Sequence, residues 1–218
     1  MKAIDSFRKI YDTATVHERL RQCDIVEEDL QATFTKLSLV NEGEHFYLID
    51  KDVYKKGNIC TKASNQLENK DCDGVVFTRL ENKNYCLLAE LKSNFDTSKI
   101  REAYKQITFT LLKIHTMFSL CDGYELDDID IVGIISCKPP KSSEKLDLLQ
   151  SQETNKPSVR FAVELYKDCN VTTTVGEIPF IANLPIIKKL GEKRIKINLT
   201  MPKNTNDSEY SVNLSAIV

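Results

Sequence analysis

No stretch of this chain is apolar for long enough to cross a bilayer, which takes about 20 residues. The opening Met1-Lys2-Ala3-Ile4-Asp5 is not built like a signal peptide, so a cytoplasmic protein with no membrane contact is expected. Cysteines at metal-ligand spacing are missing as well. The seven (Cys23, Cys60, Cys72, Cys86, Cys121, Cys137 and Cys169) include no C-x-x-C, and the three histidines do not cluster with them, which argues against structural zinc. An odd number of cysteines, several inside apolar runs, suits free buried thiols in a reducing compartment. There is no P-loop, no G-x-G-x-x-G and no G-x-S-x-G. Excess positive charge is absent too: the net charge is -2 and the pI about 6.0, so any binding of nucleic acid needs a local basic patch.

What is present is enough for one core. At 218 residues and 41% hydrophobic, the chain suits a single domain over 1–218. Residues 3–22 offer Ile4, Phe7, Ile10, Tyr11 and Leu20 as an apolar helix face. Residues 24–40 read as a second helix, with Asp24 as N-cap, Glu27 as its capping-box partner, and a stripe of Val26, Leu30, Phe34 and Leu37. Residues 45–49 read as a short strand, and 51–71 as a polar, irregular loop. Ile100, Tyr104, Ile107, Leu111, Ile114 and Phe118 mark the clearest helix, capped by Asp96, Thr97 or Ser98. Another face of that helix carries Lys99, Glu102, Gln106, Thr110 and Lys113. Residues 129–137 form a near-continuous apolar run, expected as a central buried strand. A short helix at 144–149 and a strand at 158–166 are expected further on.

The chemistry concentrates between residues 72 and 92. Cys72-Asp73-Gly74-Val75-Val76-Phe77 and Tyr85-Cys86-Leu87-Leu88-Ala89-Glu90-Leu91-Lys92 read as two strands joined by the polar turn Glu81-Asn82-Lys83-Asn84. Side chains alternate along a strand, so Glu90 and Lys92 share a face and Leu91 takes the other. A hairpin brings Asp73 beside them. Two carboxylates and an ammonium on sheet backbone can hold a hard divalent cation and help activate a water. The pattern E-x-K also occurs at Glu68-Asn69-Lys70 and Glu81-Asn82-Lys83, both in loop-like sequence. What distinguishes residues 90–92 is the apolar run Leu87-Leu88-Ala89, the leading Asp upstream and the helix that follows.

This arrangement resembles the PD-(D/E)xK nuclease superfamily over residues 73–137. The resemblance implies an α/β fold with a restriction-endonuclease-like core, a central mixed β-sheet flanked by α-helices. That core would span about 24–137, with 141–218 as a C-terminal extension of further strands. It also implies Mg2+ or Mn2+ held by Asp73, Glu90 and the Leu91 carbonyl. Lys92 would sit at the attacking water, and Gln106, on the following helix, would contribute a polar group. Gln106 is followed by Thr110 where some branches have Tyr, and Cys72 stands where the family has Pro. An acid from an early helix often joins the site; Glu28, Glu27 and Glu18 are the candidates, with Glu28 off the apolar stripe.

The implied activity is phosphodiester hydrolysis, with DNA the expected partner and restriction or defence the expected type. The alternatives are an RNA endonuclease with the same metal site, and a non-catalytic module using the same fold for binding or assembly. A homodimer is one way to cut both strands, though no residue points to its interface. For phosphate contact the candidates are Lys62 and Lys70 before Asp73, and the basic segment around Lys193, Arg194 and Lys196. Arg194 and Lys196 alternate with Ile195 and Ile197, so they lie on one face of a strand, for which a solvated, lysine-protected sheet edge is the stronger reading. Asp122, Glu125, Asp127, Asp128 and Asp130 cluster without the spacing of a calcium loop.

Overall fold

The computed structural model describes residues 2–12, 15–56, 71–140, 157–182, 184 and 186–218. The elements are α1 (Lys2–Tyr11), β1 (Val16–Val26), β2 (Lys36–Ile49), α2 (Lys51–Lys56), β3 (Gly74–Leu80), β4 (Lys83–Lys92), α3 (Thr97–Phe118), β5 (Ile129–Cys137), α4 (Pro157–Asp168), β6 (Asn170–Thr174), α5 (Lys188–Gly191), β7 (Arg194–Thr200) and β8 (Glu209–Asn213). The chain is α/β, with one mixed sheet in the order β1-β2-β3-β4-β5-β7-β6 and β8 paired to β2. Strands β1 to β4 are mutually antiparallel, β5 and β7 run parallel to β4, and β6 returns antiparallel to β7. No helix among the described residues is long and apolar enough to cross a membrane.

The β3–β4 hairpin follows from its turn. Leu80 pairs with Lys83, leaving Glu81 and Asn82 as a two-residue loop, both at positive φ (49° and 69°). Such loops match the twist of the flanking strands and fix the register. The register pairs Gly74 with Ala89, which sets Asp73 beside the 90–92 tripeptide. The α3 helix starts as expected: Asp96 accepts from the Ser98 amide at its N-terminus.

Two buried clusters lie on opposite faces of the sheet. One joins Ile4 and Phe7 of α1, the apolar face of α3, Phe161 and Leu165 of α4, and the strand residues Val75, Phe77, Cys86, Leu88, Ile195 and Ile197. The other joins Cys23, Ile25, Phe34, Leu37 and Leu39 with Val76, Leu87, Leu91, Ile134, Val212 and Ile217, and holds no α-helical residue. The α-helices of the described residues therefore cover one face. The other is closed by the β1–β2 corner, β8 and the C-terminal residues.

Four expected segments differ. The 3–22 helix stops at Tyr11, and Asp12 follows at φ 102°. The 24–40 helix is instead the end of β1, a bend, and the start of β2; Val26 is 51% and Leu30 102% exposed, so the supposed stripe is not a face. β2 is held there by β1 on one side and by β8 on the other. The expected strand at 158–166 is α4, with Pro157 at its first position, where a missing amide proton costs nothing. The 51–71 loop begins as α2, and its remainder, like the expected 144–149 helix, lies outside the described residues.

Candidate active site

Glu90 and Lys92 continue the row of Cys86 and Leu88 that faces α3, while Leu91 packs into the opposite cluster. Lys92 Nζ lies 2.6 Å from Glu90 Oε1 and donates to Gln106 Oε1 at 2.8 Å. The Leu91 amide donates to Asp73 Oδ2 at 2.8 Å. A strand residue sends its N–H and C=O to the same edge, so the Leu91 carbonyl also lies on the Asp73 side. Asp73, Glu90, Leu91, Lys92 and Gln106 thus come together at the carboxyl end of β4, the end of an open α/β sheet where ligands bind.

α3 grips the segment that carries Asp73. Gln106 Nε2 donates to the Asp71 carbonyl at 3.0 Å, and the Cys72 amide donates to Thr110 Oγ1 at 2.9 Å. Lys113 Nζ meets both oxygens of the Asp71 carboxylate at 2.7 and 2.9 Å. Residues 106, 110 and 113 lie on one helical face, so one side of α3 holds 71–72 in place. Thr110 and Lys113 are buried; this is not a solvated face. Cys72 has a reason to stand where the resemblance expects proline: proline has no amide proton to give Thr110. The Tyr54 hydroxyl donates to the Cys72 carbonyl at 3.3 Å from the other side. Asp71, Lys113 and Tyr54 were not expected in the site. The only sequence signal for the first two is their placement, Asp71 two residues before Asp73 and Lys113 seven after Gln106.

Glu90 is 1% exposed, and its Oε2 has no hydrogen-bond partner among the described residues. Thr200 Oγ1 is the other buried side-chain oxygen so placed, but it carries no charge. Burial, and then the charge of Asp73, push the Glu90 carboxyl well above its ordinary range against the pull of Lys92; Glu27 adds to the push. Burial raises Asp73 as well, opposed by the Leu91 amide, Lys51 and Lys92 and assisted by Glu27. Burial works against the Lys92 ammonium, yet Glu90, Glu102 and Asp73 raise its pKa overall. Burial is thus the main reason that the two carboxyls resist ionising together.

The acids near β1 sort differently from the expectation. No early helix supplies them: Glu27 and Glu28 lie in the bend after β1. Glu28 is exposed and tied to Lys55 at 2.9 Å and Lys51 at 3.6 Å. Half-buried Glu27 is the one whose charge acts on both Asp73 and Glu90. Glu18 pairs with His45 at 2.6 Å and Arg8 at 3.7 Å, on the part of β1 opposite Tyr47. Gly74 lets the end of β1 approach, since a Cβ there would come within 2.8–3.0 Å of the Ile25 side chain. A groove of about 270 Å³, lined by Ile25, Glu28, Asp50 and Lys51 among others, opens onto Asp73.

Lys193, Arg194 and Lys196 are not part of this site. Ile195 is level with Cys86 through Ile131, four positions before Glu90, and Ile195 and Ile197 face the helices. Arg194 therefore lies about 16 Å back along the strands, and Lys196 points to the opposite face of the sheet. Nor is β7 an edge, since β5 and β6 flank it. The basic segment meets the acidic cluster: Lys189 lies 3.0 Å from Asp127 and 3.8 Å from Glu125, and Lys193 Nζ is 3.5 Å from the Asp127 carbonyl. Lys62 and Lys70 lie outside the described residues.

The donor set suits a hard divalent cation. Asp73, Glu90 and the Leu91 carbonyl offer only oxygen, and Glu90 Oε2 has no hydrogen-bond partner among the described residues. No three His, Cys, Asp or Glu side chains among the described residues are grouped to hold a metal. Magnesium does not require that, because it keeps several waters and takes one or two carboxylates. In comparisons with known proteins, no family model, no curated protein and no solved structure matches this chain.

Proposed function

We propose that this chain is a metal-dependent nuclease that hydrolyses phosphodiester bonds, with DNA the favoured substrate. The observation that carries the reading is Glu90: a carboxylate at 1% exposure, with one oxygen unpartnered among the described residues and Asp73 and Lys92 beside it. The fold supports it. The run β2, β3, β4, α3, β5, with its first three strands antiparallel and the last parallel to β4, suits a restriction-endonuclease-like core. A restriction or defence role rests on that likeness of fold alone.

Asp73, Glu90 and the Leu91 carbonyl would hold Mg2+ or Mn2+. When bound, the cation supplies Lewis-acid neutralisation of the phosphate and a lowered pKa for a water. Lys92 spends one N–H on Glu90 and one on Gln106, which leaves a third for a water or a phosphate oxygen. An ammonium there favours the deprotonated water electrostatically. Gln106 aims Lys92 while its amide nitrogen holds the Asp71 carbonyl, so one side chain ties the lysine to the segment bearing Asp73.

A second reading takes the charges as a structural network in a non-catalytic module. The short Lys92–Glu90 and Lys113–Asp71 contacts favour it. Incubation of the full chain with duplex DNA and with RNA, in Mg2+ and in chelator, separates the readings. Cation-dependent cleavage of DNA that is lost in Lys92→Ala supports the proposal; cleavage of RNA alone redirects it; cleavage of neither, with nucleic acid still bound, favours the module.

A further inference from the structure

Lys51 begins α2 directly beyond β2 and was not anticipated in the site. Its side chain is 17% exposed and its ammonium sits among three oxygens: the Val26 carbonyl at 3.2 Å, Asp73 Oδ1 at 3.5 Å and Glu28 Oε1 at 3.6 Å. The second oxygen of Asp73 is taken by the Leu91 amide. Asp73 is therefore held by backbone on one side and by a side-chain cation on the other, in a groove that Glu28 and Lys51 also line. Glu90 faces a lysine of its own, Lys92. Each carboxylate that would take the divalent cation already has an ammonium at one oxygen. The two ammoniums differ: Lys92 is pinned by Gln106, whereas Lys51 has an exposed acid, Glu28, to fall back on.

We propose that Lys51 is the resident counter-cation of Asp73. It neutralises that carboxylate in the cation-free protein, and a divalent cation must compete against it. Once displaced, it stays at the groove through Glu28 and the Val26 carbonyl and offers its charge to a phosphate oxygen of the substrate. Cation loading and nucleic-acid binding are then linked through one side chain, and each strengthens the other, as linkage requires. This rests on the nuclease reading of the site.

The test titrates Mn2+ calorimetrically into the full chain without nucleic acid. A unit charge about 4 Å away across water shifts an equilibrium about fivefold, so Lys51→Met is expected to bind Mn2+ about fivefold more tightly than wild type. Lys51→Gln, which keeps a donor for the Val26 carbonyl, gives the same tightening if charge is responsible. Lys55→Met is the control: its amine reaches Glu28 at 2.9 Å, and the effect on Mn2+ is expected to stay below about twofold. With Ca2+ and an uncleaved duplex, Lys51→Met should flatten the log-affinity against log-salt slope by about one unit. Wild type binding no Mn2+ removes the nuclease reading and this inference with it. Wild type binding Mn2+ with Lys51→Met and Lys51→Gln unchanged or weaker overturns the counter-cation alone. Lys55→Met matching Lys51→Met overturns it too, since the effect would then belong to the general field.

Discussion

The two ends of the sheet are both dense in charge, and they are built in opposite ways. At the carboxyl end of β4, Asp73, Glu90 and Lys92 are largely withdrawn from water, the side chains of Lys113 and Asp71 are 7% and 4% exposed, and one carboxylate oxygen lacks a partner among the described residues. At the other end, Lys189, Glu125, Asp127 and Lys193 meet at the surface, where the Lys189 and Asp127 side chains are 48% and 70% exposed. Charge density alone does not tell these ends apart; burial does. A charge kept out of water without full compensation is costly and persists only where something else requires it. A surface pair asks for no such reason.

The largest effect expected at the buried end is on catalysis. Asp73→Asn, Glu90→Gln and Lys92→Ala should each lower cation-dependent cleavage by about 10³-fold, and Lys189→Ala should leave it unchanged. Lys92→Ala should keep most nucleic-acid binding; a parallel collapse of binding would make Lys92 a phosphate anchor. Next comes stability. Lys113→Ala strands the Asp71 carboxylate and should cost about 3–5 kcal/mol in denaturant unfolding, whereas Lys189→Ala should leave the midpoint unmoved. If the two losses are equal, burial does not separate the ends.

A pH effect of known sign follows. The Glu90 pKa lies well above its ordinary 4.5, so the native state holds that proton more tightly than the unfolded chain. The stability this supplies is complete below the ordinary value and is lost as pH climbs through the raised one. In chelator, thermal unfolding of wild type should therefore weaken with rising pH across that window, and Glu90→Gln should flatten the decline. A variant as steep as wild type would mean another group is responsible. Gly74→Ala should cost about 1–3 kcal/mol, because Ile25 must give way to the new Cβ. The smallest effect is expected from Arg194→Ala with Lys196→Ala, whose salt dependence on duplex DNA should match wild type because neither residue shares an end or face with Glu90.

The convergence of Asp73, Glu90 and Lys92 was legible in the sequence and the first third of the chain was not, for one reason. Residues 73–92 form a local hairpin, whose pattern is complete in twenty consecutive residues and whose turn needs no distant partner. By contrast, residues 36–40 take their strand pairing partly from 209–213 at the far end of the chain, so local spacing offered a helix in its place. At 158–166 the apolar residues Phe161, Ala162 and Leu165 follow a helical spacing, and Pro157 marks the start. Lys51 lies far from Asp73 in sequence and reaches it only in three dimensions.

The central claim is that Asp73 and Glu90 form one divalent-cation site. Calorimetric titration of Mn2+ into wild type, Asp73→Asn and Glu90→Gln tests it without reference to any substrate. Saturable binding in wild type, weakened in both variants, is the result expected, since each substitution removes a hard anionic ligand. No saturable binding in wild type, or equal affinity in all three proteins, would contradict it.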